Sequence, residues 1–125
     1  MKYMVLIHHN RGAREQFAAM PAEVQAQGMA AYARLNEELR ENGEWVAAEA
    51  LADDATSVVV TTRDGAPVRT DGPFAEAKEM LAGFYLVDVE SQERALEIAA
   101  RIPEAQAGSG YVEVRPVLVY DLAGA

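Results

Sequence analysis

From Lys2 to His9 the chain is rich in β-forming apolar residues and stops at the polar Asn10-Arg11-Gly12, which predicts a mostly buried strand whose end carries both histidines. Beyond it the period changes. Between Pro21 and Asn42, Val24, Gly28, Ala31, Leu35 and Leu39 fall at spacings of four and three, one stripe of a helix. Pro21 suits its first turn and Asn42-Gly43 a left-handed stop. Trp45 to Leu51 predicts a second strand, and Ser57 to Thr62 a third, which turns at Arg63-Asp64-Gly65-Ala66 into Pro67-Val68-Arg69-Thr70 as a hairpin. Ala75 to Met80 has the composition of one or two helical turns, and Gly83 to Val89 is an apolar, aromatic strand. Ser91 is positioned to cap a helix with a buried stripe of Ala95, Leu96, Ile98, Ala99 and Ile102, ending at Pro103. After a Gly108-Ser109-Gly110 loop, Tyr111 to Val117 alternates like a strand with one wet face, and Pro116 puts it at a sheet edge or at its own end.

The order is β-α-β-β-(short helix)-β-α-β, which predicts an α+β fold. Its antiparallel sheet would follow the ferredoxin-like split βαβ pattern, with helices on one face only. A sheet so covered needs something over its other face. A second copy is the simplest cover, so a homodimer packed sheet to sheet is expected.

Composition narrows the classes. A chain of 125 residues, half hydrophobic and a quarter charged, is the size of one domain, residues 1–125. Twenty acidic against 11 basic residues give a net charge of −9, which repels phosphate backbones and anionic lipid, so neither nucleic acid nor a membrane is an expected partner. The absence of cysteine removes disulfides and thiolate chemistry and is compatible with a reducing cytoplasm. The apolar Met1–Ile7 stretch is too short for the core of a signal peptide, and no run approaches the roughly 20 apolar residues of a membrane-spanning helix. No phosphate-binding glycine loop, nucleophile elbow or dinucleotide fingerprint occurs. Reactions that need only proton transfer and a shaped pocket remain, with no cofactor expected.

Asp71-Gly72-Pro73-Phe74 is the most distinctive stretch. Gly72 allows positive φ, Pro73 fixes φ, and Phe74 offers an apolar anchor, so Asp71 sits on a constrained corner. Together with Met1-Lys2-Tyr3-Met4, Asp64-Gly65, the continuation Ala75-Glu76-Ala77-Lys78-Glu79 and Val112-Glu113-Val114-Arg115-Pro116, it makes the chain resemble the YCII-related family, and within it the DGPF branch. The resemblance covers almost the whole chain. It implies a dimeric α+β barrel, bacterial origin, a cytoplasmic location, and His and Asp side chains in a pocket near the dimer interface. It also implies a gene neighbourhood shared with extracytoplasmic-function sigma factors.

Asp71 is the first candidate base, since a partly buried carboxylate on a rigid turn has its pKa raised; as a cap for the residues after it, its pKa would fall instead. His8 and His9 are strand neighbours and point to opposite faces. If His8 shares the wet side with Lys2, Met4 and Leu6, His9 shares the side of Tyr3, Val5 and Ile7. Either could partner Asp71 as a proton shuttle. Their opposed directions preclude joint chelation, and no metal is expected. Lys78, Glu79 and Phe74 are candidates for the pocket rim. Arg115 is either an anion anchor or the partner of Glu113 or Asp71. Tyr32, Trp45, Phe84 and Tyr85 read as core or dimer contacts before they read as a ligand cage. Two functions follow. One is a small cofactor-free enzyme of lyase, isomerase or dehydrohalogenase type, using Asp71 with a histidine on a small cyclic or aromatic acid. The other is a non-catalytic dimer that senses a ligand or serves a sigma-factor pathway.

Overall fold

The computed structural model describes residues 1–73, 77–106 and 108–119. Strand β1 (Lys2–Asn10) organises it: Tyr3, Val5 and Ile7 are buried on one side, while Met4, Leu6 and His8 on the other are only half-buried. Helices α1 (Ala13–Ala18) and α2 (Ala22–Glu41) follow, and then β2 (Trp45–Ala50). A 3-10 turn (Asp54–Thr56) leads into β3 (Val58–Arg63) and β4 (Ala66–Asp71). The chain ends its described part with β5 (Glu79–Asp88), α3 (Gln92–Ala100), α4 (Pro103–Gln106) and β6 (Gly110–Pro116).

Four strands form one antiparallel sheet in the order β2-β5-β1-β6, and β3-β4 stands as a separate two-stranded sheet. Each of the two crossovers, β1-α2-β2 and β5-α3-β6, skips one strand that lies between its ends, which is the split βαβ arrangement of ferredoxin-like folds. Leu35 and Leu39 of α2 and Ala95, Ile98 and Ala99 of α3, with Ile102 just beyond it, pack on Tyr3, Val5, Tyr85 and Val87, so both long helices cover the same face. Met4 opposite Leu86 and Leu6 opposite Phe84 line the other face.

The long elements stand where periodicity puts them, with Pro21 at the start of α2 and the Ser91 hydroxyl accepting the Arg94 N–H at 3.2 Å. Leu96 differs. It is exposed, because the buried stripe of Ala95, Ile98, Ala99 and Ile102 runs one position to its side. The predicted short helix also fails at its end. Glu79 and Met80 open β5 opposite Asn10 and His9, where the gain from ladder pairing and from burying Met80 overrides the helix propensity of the segment. Phe74 to Glu76, the remainder of that prediction and the last part of the corner motif, lie outside the described residues.

Arg94 ties the helix layer together. Its guanidinium donates to Glu44 at 2.8 and 2.9 Å and to Glu38 at 3.1 Å, bridging α3, the turn before β2, and α2. Arg94 holds the Glu44 carboxyl below its ordinary pKa, and Arg94 with Arg101 does the same for Glu38.

Candidate functional site

A cavity of about 570 Å³ opens between the sheet and α2. Three local features of the sequence build it. The alternation of β1 carries His9 to the side of Ile7; Tyr32 and Asn36, four apart on α2, face the sheet together; and α4, starting at Pro103 directly after α3, holds Glu104 against the end of β1. Two irregularities shape the floor. In β5 Ala82 is an extra residue opposite Ile7 and His8, and in β2 Val46 is skipped between Trp45 and Ala47. The second one leaves Trp45 and Ala48 both on the cavity side.

At the inner end, His9 Nε2 lies 2.6 Å from Glu104 Oε2, and the Tyr32 hydroxyl donates to Glu104 Oε1. His9 and Glu104 are each only 15% exposed. The other ring nitrogen, His9 Nδ1, is buried with no hydrogen-bond partner among the described residues. That decides the tautomer. A proton on Nδ1 would be a buried donor without an acceptor, at a cost of about 1–3 kcal/mol, whereas a bare Nδ1 is an idle lone pair. Nε2 therefore carries the hydrogen that faces Glu104.

Burial, then the bond to Glu104, pushes the Tyr32 phenol far above its ordinary pKa, so it stays a donor. Tyr85 donates to Asn36 Oδ1 at 2.5 Å, and burial first, with the charge of Glu104 second, raises its phenol to about 12. Each Glu104 oxygen thus has one donor, in a mostly apolar cavity lined by Ile7, Met29, Ala48 and Trp45. Arg14 is the one cation among the described lining residues, and its guanidinium donates to the Leu51 carbonyl at 2.5 Å.

The residues singled out in the sequence divide between three places. His9 enters the cavity. His8 points to the opposite face, stacked on Tyr111 with ring centroids 4.6 Å apart, and its Nε2 is 3.2 Å from Glu113. Arg115 pairs with the same Glu113, so the anion-anchor candidate stands on the far side of the sheet from the cavity, and Arg115, with His8 second, lowers the Glu113 carboxyl. Asp71 closes β4 opposite Val58, exposed, with no side-chain hydrogen bond among the described residues. Gly72 beside it takes φ of 80° and donates its N–H to the Ser57 carbonyl at 2.7 Å, the positive-φ corner that the glycine implied. The Lys78 carbonyl accepts from the Arg11 N–H, and Glu79 is an exposed strand residue. Phe74 lies outside the described residues. The structure thus brings His9 to Glu104 and Tyr32, and sets Asp71 on a different sheet from both histidines.

Glu104, Asn36 and Arg14 were not singled out by sequence reasoning. One signal pointed towards Glu104: a histidine on the apolar side of a strand demands a polar partner. Among the described residues, no three His, Cys, Asp or Glu side chains are grouped as a metal site would need, and no helix is long and apolar enough to cross a membrane.

Comparison with known proteins gives two findings. The model of the family described as the YCII-related domain matches residues 1–121. An uncharacterised protein of Rhizobium meliloti (strain 1021) is 43% identical over 67 residues, a match that spans 52% of this chain and 54% of that relative. The matched part is therefore about half the length of the curated relative.

Proposed function

The chain belongs to the YCII-related domain family, and from the geometry of its cavity we propose that it is a small enzyme that moves protons on a small cyclic or aromatic acid with its own side chains. One observation carries this: the Glu104 carboxyl group is fixed by His9 and Tyr32 in a mostly apolar cavity. One donor on each oxygen leaves a second lone pair on each to accept a substrate proton. A positioned general base contributes typically about 10²–10⁴-fold. His9 and Tyr32 orient the carboxylate, while Arg14 supplies the charge that a substrate carboxylate needs.

The protein is exchanged against a mixture of small cyclic and aromatic carboxylic acids in D₂O, and deuterium wash-in is followed by mass spectrometry. Wild type is expected to label at least one acid and Glu104→Gln to lose that labelling, with Asp71→Asn retaining it. Labelling that survives Glu104→Gln and disappears in Asp71→Asn would move the base to the hairpin corner. Binding reported by Trp45, the single tryptophan and a cavity residue, without labelling of any acid, would make the protein a sensor rather than an enzyme.

A second copy over the outer sheet face belongs to the same reading. Met4, Leu6, Phe84 and Leu86 supply an apolar centre for it.

A further inference from the structure

The Asn36 side chain has one of its two ends committed. Its Oδ1 accepts the Tyr85 hydroxyl, which fixes the orientation of the amide and turns Nδ2 away from that bond. No acceptor among the described residues takes the two Nδ2 hydrogens, and Asn36 lines the cavity. One helical turn before it, Tyr32 holds Glu104. The cavity therefore presents a held carboxylate and a pair of free amide donors among its lining residues.

That pairing fits a particular substrate. A base that takes a proton from carbon stands about 3 Å from that carbon, and a donor to an oxygen one carbon further on stands about 3 Å from it. Resting on the proton-transfer reading above, we infer that the substrate carries a carbonyl group, and that Asn36 Nδ2 is the catalytic residue that binds its oxygen. The C–H bond next to the carbonyl breaks and its proton passes to Glu104. The electron pair moves into a C=C bond, and the charge settles on the oxygen, where the Asn36 amide donates to it. Return of the proton from Glu104 to the same or a neighbouring carbon completes an exchange or an isomerisation, with no net oxidation and no second reactant. Tyr85 is a positioning residue, because it acts by keeping the amide the right way round.

The probe is 3-oxocyclohexanecarboxylate in D₂O, followed by proton NMR, with cyclohexanecarboxylate as the companion that lacks the ketone. Wild type is expected to lose the signals beside the ketone and to leave the companion unchanged. Asn36→Leu should lower kcat about 100-fold or more with KM within a factor of about three, the loss seen when one oxyanion donor is removed. Asn36→Ser and Tyr85→Phe should fall between, and thermal melts establish that each variant is folded. Asn36→Leu exchanging as fast as wild type, while Glu104→Gln is silent, would overturn the role of Asn36 and leave the general base in place. A wild type that labels other acids but never the ketone would overturn the carbonyl assignment.

Discussion

Removing the Glu104 side chain tests whether the cluster at the inner end of the cavity is a held arrangement or a chance meeting of polar groups. In Glu104→Ala, two donors lose a charged acceptor at once: His9 Nε2–H, bonded at 2.6 Å, and the Tyr32 hydroxyl. An unmade bond to a buried donor costs about 1–3 kcal/mol. Because His9 is 15% exposed and the cavity lies alongside, water partly replaces the carboxylate, and about 1–2 kcal/mol per donor is the appropriate figure. The sum is about 2–4 kcal/mol. A domain of this length unfolds with an entropy of about 0.26 kcal/mol/K, so the melting temperature should fall by about 8–15 °C. Glu104→Gln should lose less, since its carbonyl still accepts one donor. Its amide replaces the other oxygen and leaves that position without the acceptor it had. Asp71→Asn, on an exposed corner, should stay within about 0.5 kcal/mol of wild type. Circular dichroism melts at neutral pH give all three values. A drop of less than about 4 °C for Glu104→Ala would refute the reasoning.

Arg94→Met should cost about 1–2 kcal/mol, less than a fully buried charge network because the cluster stands partly in water. The folded-state pKa values of Glu44 and Glu38 are depressed, so their contribution is complete above the unfolded carboxylate pKa of about 4.3 and is lost as pH falls through the folded values. Urea titrations across the acid range should therefore show a flatter stability curve for this variant than for wild type. Gly110→Ala places a Cβ onto the His8 carbonyl oxygen, so β6 must move off β1; a loss of about 3 kcal/mol or more is expected by urea unfolding, with a shifted His9 ring signal by NMR. Leu6→Glu, in the centre of the outer sheet face, should turn a dimer into a monomer in sedimentation velocity, and a mass unchanged from wild type would remove that face from the interface.

Much of the sheet and both long helices could be read from the sequence, because they carry enough residues for a period to declare itself. Leu35 and Leu39 of α2 and Ile98 of α3 are buried where their spacing put them. Helix α1, six residues, and α4, four residues, contain at most two turns each, too few for any period. Glu104 was hidden for that reason. It lies 95 residues from His9, and its place depends on how α4 packs after Pro103, which no local pattern encodes. Alternation put His9 on the side of Ile7 and Glu113 on the side of Arg115, but which side of β1 the helices cover, and whether Arg115 pairs with Glu113 or Asp71, took the tertiary structure to decide. The Asp71 corner was legible as a turn, because Gly72 and Pro73 act through their own backbone. What the corner faces depends on tertiary placement of the hairpin, which is not a local property.

The two adjacent histidines also guard how the first strand settles. A strand that slips by one residue turns every side chain to the opposite face, and the apolar pattern of β1 resists this poorly, since Met4 and Leu6 would be tolerable substitutes for Val5 and Ile7 inside. The polar ends do not tolerate it. After such a slip His9 would look for Glu104 from the wrong side, His8 would leave Glu113 and the Tyr111 ring, and the glycine that lets β6 come close would no longer face His9. The strand that delivers the candidate site is thereby held in register by the polar contacts of the site itself.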